Sequence, residues 1–187
     1  NPILIANPVS KNMELGTNRI PERFAFIGRL RSEKRPQIAI RASVQNNVSI
    51  AVIGVGEMLD DLRSEFSDYE NLVTYYGFVE NPWAKLHPDS LIVMPSEYEG
   101  DGLVAVEAII NGFAILLSDN PDMRRLNLSS KHYFKTLEDL EQKISLAKNL
   151  GNSHFAVPLT KQNEVESARN LEKIGCQWMR LLSTLTN

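Results

Sequence analysis

Residues 91–110 of this chain read LIVMPSEYEGDGLVAVEAII, and the order of elements in this stretch decides the fold. The first four residues are an unbroken apolar run, which is typical of a strand buried on both faces of a sheet. A loop with two glycines follows, and residues 103–110 then form a helix-length segment. Strand, glycine loop and helix in this order indicate an α/β protein, with the loop at the carboxyl end of a parallel strand.

The same order recurs along the chain. Four more short apolar runs each end at a turn residue, and they are Phe24–Ile27, Ser49–Ile53, Leu72–Tyr76 and Ala114–Leu117. Further helix-length segments are Pro36–Val44, Glu57–Phe66, Asp139–Leu150 and Val165–Leu185, the last forming one or two helices. We therefore predict a doubly wound, Rossmann-like parallel sheet with helices on both faces, whose ligands bind at the carboxyl ends of the strands.

Composition limits what the chain can be. Its 187 residues are 43% hydrophobic, which suits one compact domain; we assign residues 1–20 to a linker and residues 21–187 to the domain. Residues 152–164 are predicted to be a loop between helices. The net charge of −3 argues against a nucleic-acid partner, so any phosphate must be held by a local basic patch. Cys176 is the single cysteine, which indicates a reducing, cytoplasmic setting.

A basic loop follows the first predicted strand. Residues 28–36 read GRLRSEKRP and place four cations between a strand and a helix. Two of these cations are suited to holding a diphosphate. The Arg29 guanidinium would bind it as a fork of N–H groups, and the Lys34 ammonium would bind it as a point charge. The alternative is a basic loop that simply faces water.

Two glycines follow the second predicted strand. Gly54 and Gly56 permit a sharp turn and a close approach of the backbone to a ligand. They are half of a dinucleotide fingerprint and lack its third glycine, so a plain tight turn is the alternative interpretation.

The loop and helix of residues 95–108 carry two glutamates. Backbone N–H groups at Gly102 and Leu103 lie at a predicted helix start, where they and the helix dipole favour an anion. Glu99 lies in the loop, and Glu107 lies on the helix among apolar neighbours. A partly buried carboxylate needs partners, which sugar or ribose hydroxyls would supply. An ion pair between Glu107 and an arginine or lysine at the core edge is the alternative.

These motifs together resemble the C-terminal domain of glycosyltransferase family 4, retaining enzymes of the GT-B fold. Glu99 and Glu107 match the family's E-x7-E signature. The other matching positions are Gly28-Arg29-Leu30 with Lys34, Gly54 and Gly56, Gly77-Phe78-Val79, Gly100 and Gly102-Leu103, and the linker Asn7-Pro8-Val9. The resemblance runs from about Asn7 to the end and is tightest between Phe24 and Ser118.

The resemblance implies a role for each matching position. Arg29 and Lys34 would hold the donor diphosphate and stabilise charge on the leaving group, and Glu99 would contact the hydroxyls of the transferred sugar. The remaining donor contacts would be Glu107 at the ribose, the backbone of Gly102 and Leu103 at the phosphates, Phe78 and Val79 at the nucleobase, and the glycines Gly28, Gly54 and Gly56. No metal or other cofactor is expected, because Arg29 and Lys34 would stabilise the negative charge that a metal ion would otherwise stabilise.

The function implied is that of a retaining hexosyltransferase. It would move a sugar from a nucleoside diphosphate sugar to an acceptor hydroxyl in glycan or polysaccharide biosynthesis. The chain begins with Asn1, so we expect a fragment or a processed chain. By the resemblance, it would lack the N-terminal acceptor domain and be inactive alone. Its partners would be the nucleotide sugar, that domain and a glycan or lipid-linked acceptor, in the cytoplasm or at the membrane through the missing domain.

Two departures from the family pattern keep rival functions open. Asp101 stands where the family usually has an aromatic residue, and it would cap the helix, bind a sugar hydroxyl or crowd negative charge near a phosphate. Residues 120–125 replace the usual glycine and glutamate after the fifth strand, and they offer Arg124 and Arg125 as further phosphate contacts. The rival classes are a GT-B-fold epimerase or phosphorylase and a non-catalytic glycosyltransferase-like partner protein.

Overall fold

The structure is a computed structural model that describes Val9 and residues 19–185. Most of the predicted linker, residues 1–20, therefore lies outside the described residues, and its role stays a prediction. Ile20 is described and is buried in the core, and its amide donates a hydrogen bond to the carbonyl oxygen of Lys85 at 2.7 Å.

The described residues form one parallel sheet of six strands. The strands are β1 (Phe24–Ile27), β2 (Ile50–Ile53), β3 (Val73–Gly77), β4 (Leu91–Met94), β5 (Ala114–Ser118) and β6 (Tyr133–Phe134). Their order across the sheet is β3-β2-β1-β4-β5-β6, and every pairing is parallel. The order reverses beside β1, so the chain is doubly wound and Rossmann-like, which confirms the predicted fold class. The sequence did not predict the sixth strand, because a strand of two residues is too short to give an apolar run.

Helices connect the strands and continue to the end of the described chain. They are α1 (Pro36–Gln45), α2 (Leu59–Glu65), α3 (Pro82–Lys85), α4 (Leu103–Ile110), α5 (Pro121–Arg124), α6 (Leu137–Leu150), α7 (Leu159–Ala168) and α8 (Leu171–Leu185). The predicted loop at residues 152–164 is wrong in part, since it contains a 3₁₀ turn at Asn152–Phe155 and the start of α7. Val165 is the only buried residue of α7, so its apolar periodicity was too weak to indicate a helix.

Alternate residues of each strand face two separate cores. Ala25 and Ile92 pack on one face with helix α4, and Phe26 and Val93 pack on the other with helices α1 and α6. Both faces of the sheet are thus covered, which explains why the strands read as continuous apolar runs. The loops at the carboxyl ends of β1, β2, β4 and β5 are left free to form one edge.

The loops after β1 and β2 lie backbone against backbone. The amide of Gly28 donates to Ile53 (3.0 Å), and the amide of Leu30 donates to Val55 (3.0 Å). A Cβ atom at Gly54 would lie 1.8 Å from the carbonyl oxygen of Gly28, and one at Gly56 would lie 2.3 Å from that of Leu30. Both glycines are therefore needed to let the two loops approach each other, a reason that the sequence did not show.

We expect Gly54→Ala to destabilise the domain. The new Cβ would collide with the Gly28 carbonyl, and the φ of +146° is one that side chains rarely adopt. Strain and overpacking of this kind cost about 1–3 kcal/mol of unfolding free energy. Urea unfolding followed by circular dichroism measures the loss.

Gly175→Ala is the matched control. Gly175 lies inside α8, and a Cβ there would meet no atom within 4 Å. Alanine in a helix interior is favoured over glycine by about 0.5–1 kcal/mol, so this variant should be as stable as the parent or more so. Equal losses in both variants would contradict the close-approach explanation.

Candidate functional site

Two hydrogen bonds hold the loop after β1 against the loop after β4. The amide of Glu97 donates to the carbonyl oxygen of Glu33 at 2.8 Å, and Nε of Arg35 donates to the carbonyl oxygen of Pro95 at 2.7 Å. In the basic loop Arg29 and Arg31 are exposed, whereas Lys34 and Arg35 are half-buried. The loop is thus only partly a solvated run of charges, because two of its cations face the neighbouring loop.

Lys34 and Glu99 form an ion pair across this junction. The Lys34 Nζ lies 2.5 Å from Glu99 Oε1, and only 17% and 11% of the two side chains are exposed. The Ser96 hydroxyl donates to the same carboxylate oxygen at 2.8 Å. The structure therefore brings together two of the three residues predicted to be catalytic, and it fixes both in place.

The loop after β5 positions Glu99, and sequence reasoning missed this contribution. A carboxylate oxygen of Asp122 accepts a hydrogen bond from the Glu99 amide at 2.9 Å. The amide group of Asn120 donates to the carbonyl oxygens of Ser96 (2.9 Å) and Glu97 (3.2 Å). The side chain of Asn120 also caps α5. An asparagine before a proline is a common helix start, and that signal was present in the sequence.

Two adjoining cavities open at this edge of the sheet. The main cavity has a volume of about 500 Å³. Its lining includes six of the predicted site residues, Gly28, Arg29, Lys34, Glu99, Gly102 and Leu103. A side cavity of about 210 Å³ shares Ile27, Gly28 and Arg29 with it. One elongated ligand can thus occupy both cavities by passing Arg29.

The side cavity is almost entirely apolar. Beyond the shared residues, it is lined by Ile53, Gly54, Val55, Phe78 and Val79. Phe78 is 77% exposed, which leaves its ring available to a ligand. Such a surface suits a flat ring, and it contains the two residues predicted to line the nucleobase.

Helix α4 begins at the wall of the main cavity. Gly102 precedes it in the left-handed conformation (φ 62°, ψ 37°), and no side chain caps the helix. Gly102 holds the cap position, so Asp101 is not the N-cap residue of α4; Asp101 forms an ion pair with Arg169 (2.7 Å). The uncapped N–H groups of the first turn and the helix dipole remain available to an anion.

Glu107 is half-buried on α4 and is not among the residues that line either cavity. Its Oε2 accepts a hydrogen bond from the indole N–H of Trp83 at 3.1 Å. Burial raises the pKa of the Glu107 carboxyl, and the bond from Trp83 partly offsets that shift. Among the described residues no arginine or lysine pairs with Glu107, so the ion-pair alternative has no support. Its role at the ribose stays a prediction.

The predicted position Gly56 and the two arginines of residues 120–125 lie apart from the cavities. Gly56 serves the contact between the loops after β1 and β2 and does not line either cavity. Arg124 pairs with Asp119, and Arg125 pairs with Asp122. Both arginines are engaged with carboxylates outside the cavity linings, so nothing here supports them as phosphate contacts.

The part of the chain that the structure describes holds neither a cluster of metal-ligating side chains nor a membrane-spanning helix. No group of three or more His, Cys, Asp or Glu side chains there is arranged to hold a metal ion. No helix among Val9 and residues 19–185 has the length and apolar character needed to cross a bilayer.

Fold and cavities define a Rossmann-like α/β domain, and comparison with known proteins gives its family. The chain matches the family "Glycosyl transferases group 1" over residues 12–157. It therefore belongs to the group 1 glycosyltransferases, which confirms the resemblance seen in the sequence. The O-antigen biosynthesis glycosyltransferase WbnH of Escherichia coli is 30% identical over 118 residues, which are 63% of this chain and 34% of the relative. The chain thus spans about a third of the length of this relative.

Solved glycosyltransferase structures share the fold. TarM of S. aureus, in complex with Fondaparinux, alpha-GlcNAc-glycerol and UDP, superimposes with a TM-score of 0.75 at 20% identity, covering 96% of this chain and 39% of TarM. HepE of Anabaena, in complex with UDP and glucose, gives a TM-score of 0.73 at 20% identity, covering 86% and 48%. At this level of identity the likeness shows the fold alone.

Glu107→Gln is expected to keep or raise stability at neutral pH. The folded chain holds the Glu107 proton more tightly than the unfolded chain, because burial lifts the pKa above its ordinary value of 4.5. The stabilisation is complete below that value and is lost as the pH rises through the folded pKa. Glutamine keeps an acceptor for Trp83 without the buried charge, so the variant should equal or exceed the parent at pH 7.

Urea unfolding near pH 4 and at pH 7 tests this expectation, and the advantage should shrink at the lower pH. Glu57→Gln is the control, because Glu57 is exposed and its substitution changes the net charge by the same amount. A large loss of stability in Glu107→Gln at pH 7 would contradict this expectation and would show that the ionised carboxylate supports the fold.

Proposed function

We propose that this chain binds the nucleoside diphosphate sugar of a retaining glycosyltransferase. The intact enzyme would transfer the sugar to an acceptor hydroxyl in glycan or polysaccharide biosynthesis, with most of the acceptor site on a further domain. The observation that carries the proposal is the Lys34–Glu99 ion pair, which lies in the main cavity beside Arg29 and the start of α4. A cation and a helix amino end in this cavity suit the phosphates of a sugar diphosphate, and a carboxylate suits the hydroxyls of its sugar.

The phosphate contacts follow from charge. Arg29 lines both cavities, and Lys34 and the start of α4 line the main one. Negative charge builds up on the diphosphate as the bond to the sugar breaks. Fixed cations and helix N–H groups at that point stabilise the departing group more than the intact donor, which lowers the barrier. In this proposal the arrangement needs no metal ion.

The sugar and the base then take the remaining sites. The Glu99 carboxylate accepts hydrogen bonds well, and Lys34 and Ser96 hold it in the main cavity, where hydroxyls of the sugar donate to it. The nucleobase lies on Phe78 and Val79 in the apolar side cavity. Glu107 contacts the ribose in this proposal, from its place on the second turn of α4.

The comparisons support the substrate class. The name of WbnH states a role in O-antigen biosynthesis, and the TarM and HepE structures contain UDP. These proteins share either sequence or fold with the chain, so a nucleotide sugar and a glycan acceptor are the substrates we propose for the intact enzyme.

Lys34→Ala is expected to weaken nucleoside diphosphate binding by about ten- to a hundredfold. A charge-assisted contact is worth about 1.5–3 kcal/mol, and removing it from the phosphate loses that amount. Titration of UDP, GDP and ADP by calorimetry identifies the base and measures the loss.

Arg31→Ala is the matched control, because Arg31 belongs to the same loop, is exposed and lines neither cavity. It should bind within about twofold of the parent, as expected for a surface charge. Equal effects of the two substitutions would mean that the loop acts only as a diffuse basic surface. Lys34 would then not be a residue of the proposed site.

Product analysis tests the reaction itself. We expect the isolated chain to bind a nucleoside diphosphate weakly and to transfer no sugar. The intact protein should give a product with the anomeric configuration of the donor, which proton NMR resolves. A product of inverted anomeric configuration would contradict a retaining reaction. Turnover by the isolated chain would contradict the expectation that a further domain supplies most of the acceptor site.

A further inference from the structure

Asp101 places a second carboxylate in the loop before α4. Asp101 lines the main cavity together with Glu99 and Gly102. The proposed function puts a diphosphate at this point, and two carboxylates beside a diphosphate would repel it. The family's usual aromatic residue would bring no such charge, so this chain needs a compensating group.

Arg169 supplies a guanidinium to that carboxylate. Its Nη1 lies 2.7 Å from Asp101 Oδ2, and only 13% of the arginine side chain and 26% of the aspartate side chain are exposed. A partly buried pair of this kind is screened by salt much less than a surface pair. The contact joins residues that are 68 positions apart in the sequence.

The backbone around Arg169 is fixed from three directions. Its amide donates to the carbonyl oxygens of Val165 (3.2 Å) and Glu166 (3.1 Å) at the end of α7, and its carbonyl oxygen accepts from Val9 (3.2 Å). Val165 itself packs in the same core as the buried face of α4. The guanidinium therefore reaches the loop from a rigid support.

The charges of the main cavity now balance in pairs. Lys34 neutralises Glu99, and Arg169 neutralises Asp101. Among the described residues no carboxylate forms an ion pair with Arg29. The cavity thus keeps a net positive charge next to a helix amino end only while Arg169 is present.

We propose that Arg169 is a positioning residue of the donor site, which acts by neutralising the Asp101 carboxylate so that a diphosphate binds at the start of α4. The inference rests on the proposed function, because it needs a diphosphate at the start of α4. It assigns a role to the junction between α7 and α8, which touches no ligand itself. It also explains how a carboxylate can occupy this position of the loop.

Arg169→Met removes the charge and keeps much of the side chain's length. We expect UDP, GDP or ADP, whichever binds the parent chain, to bind about tenfold more weakly, as for one unscreened like charge near the phosphates. The matching nucleoside carries no phosphate and should bind as it binds the parent. Arg180→Met is the control, because Arg180 is exposed on α8 and its loss changes the net charge equally.

The double variant Asp101→Asn with Arg169→Met separates charge compensation from a purely structural tie. Removing the carboxylate as well should restore diphosphate affinity to within about twofold of the parent, whereas a lost structural tie would not be restored. Asp101→Asn alone should bind the diphosphate as tightly as the parent or more tightly. It tests the proposal even if Arg169→Met fails to fold, and weaker binding by Asp101→Asn would overturn the proposal.

The remaining outcomes are distinct. If the parent binds one of the three nucleotides and folded Arg169→Met binds it equally, only the inference is overturned. It is also overturned if the double variant folds and affinity does not return. If the folded parent binds none of the three nucleotides, the proposed function fails and the inference fails with it.

Discussion

The ion pair between Lys34 and Glu99 joins two loops that are distant in the sequence, and it is mostly buried. Burying two charges costs free energy, which their attraction offsets only when the geometry is fixed and the other hydrogen-bonding positions are filled. Ser96 fills one of those positions, and Asp122 fixes the backbone of Glu99. The pair therefore depends on three loops being held at one edge of the sheet, and every other feature of the site is arranged around it.

The sheet supplies that edge through its strand order. Strands β1 and β4 are neighbours at the point where the order reverses, so the loops that follow them must separate to opposite faces and leave a crevice between them. Close contact of the β1 and β2 loops, which Gly54 permits, closes one side of the crevice. Bonds from Arg35 and Asn120 close the other sides. The crevice is thus a consequence of topology, and its shape is a consequence of a few backbone contacts.

Much of this could be predicted from the sequence, because buried parallel strands and helix starts leave local signals. The five longer strands and the convergence of Lys34 with Glu99 followed from apolar runs and from the rule that their carboxyl ends meet. The partner of Asp101 could not be predicted, because no local pattern links it to Arg169 across the chain. The structural need for a glycine at Gly56 could not be predicted either, because only the assembled loops show that this residue lies against Leu30.

The balance of charges bears on how the proposed donor site would attract a diphosphate in a chain whose net charge is −3. Two of its cations are already paired with carboxylates, so long-range attraction is weak and the site depends on short-range geometry. Paired side chains lose little further freedom when a ligand arrives, which keeps the cost of ordering low. Groups that are oriented beforehand also stabilise a developing charge without having to reorganise. In the proposed function, a domain of this design would give up speed of capture for accurate placement of the sugar relative to its acceptor.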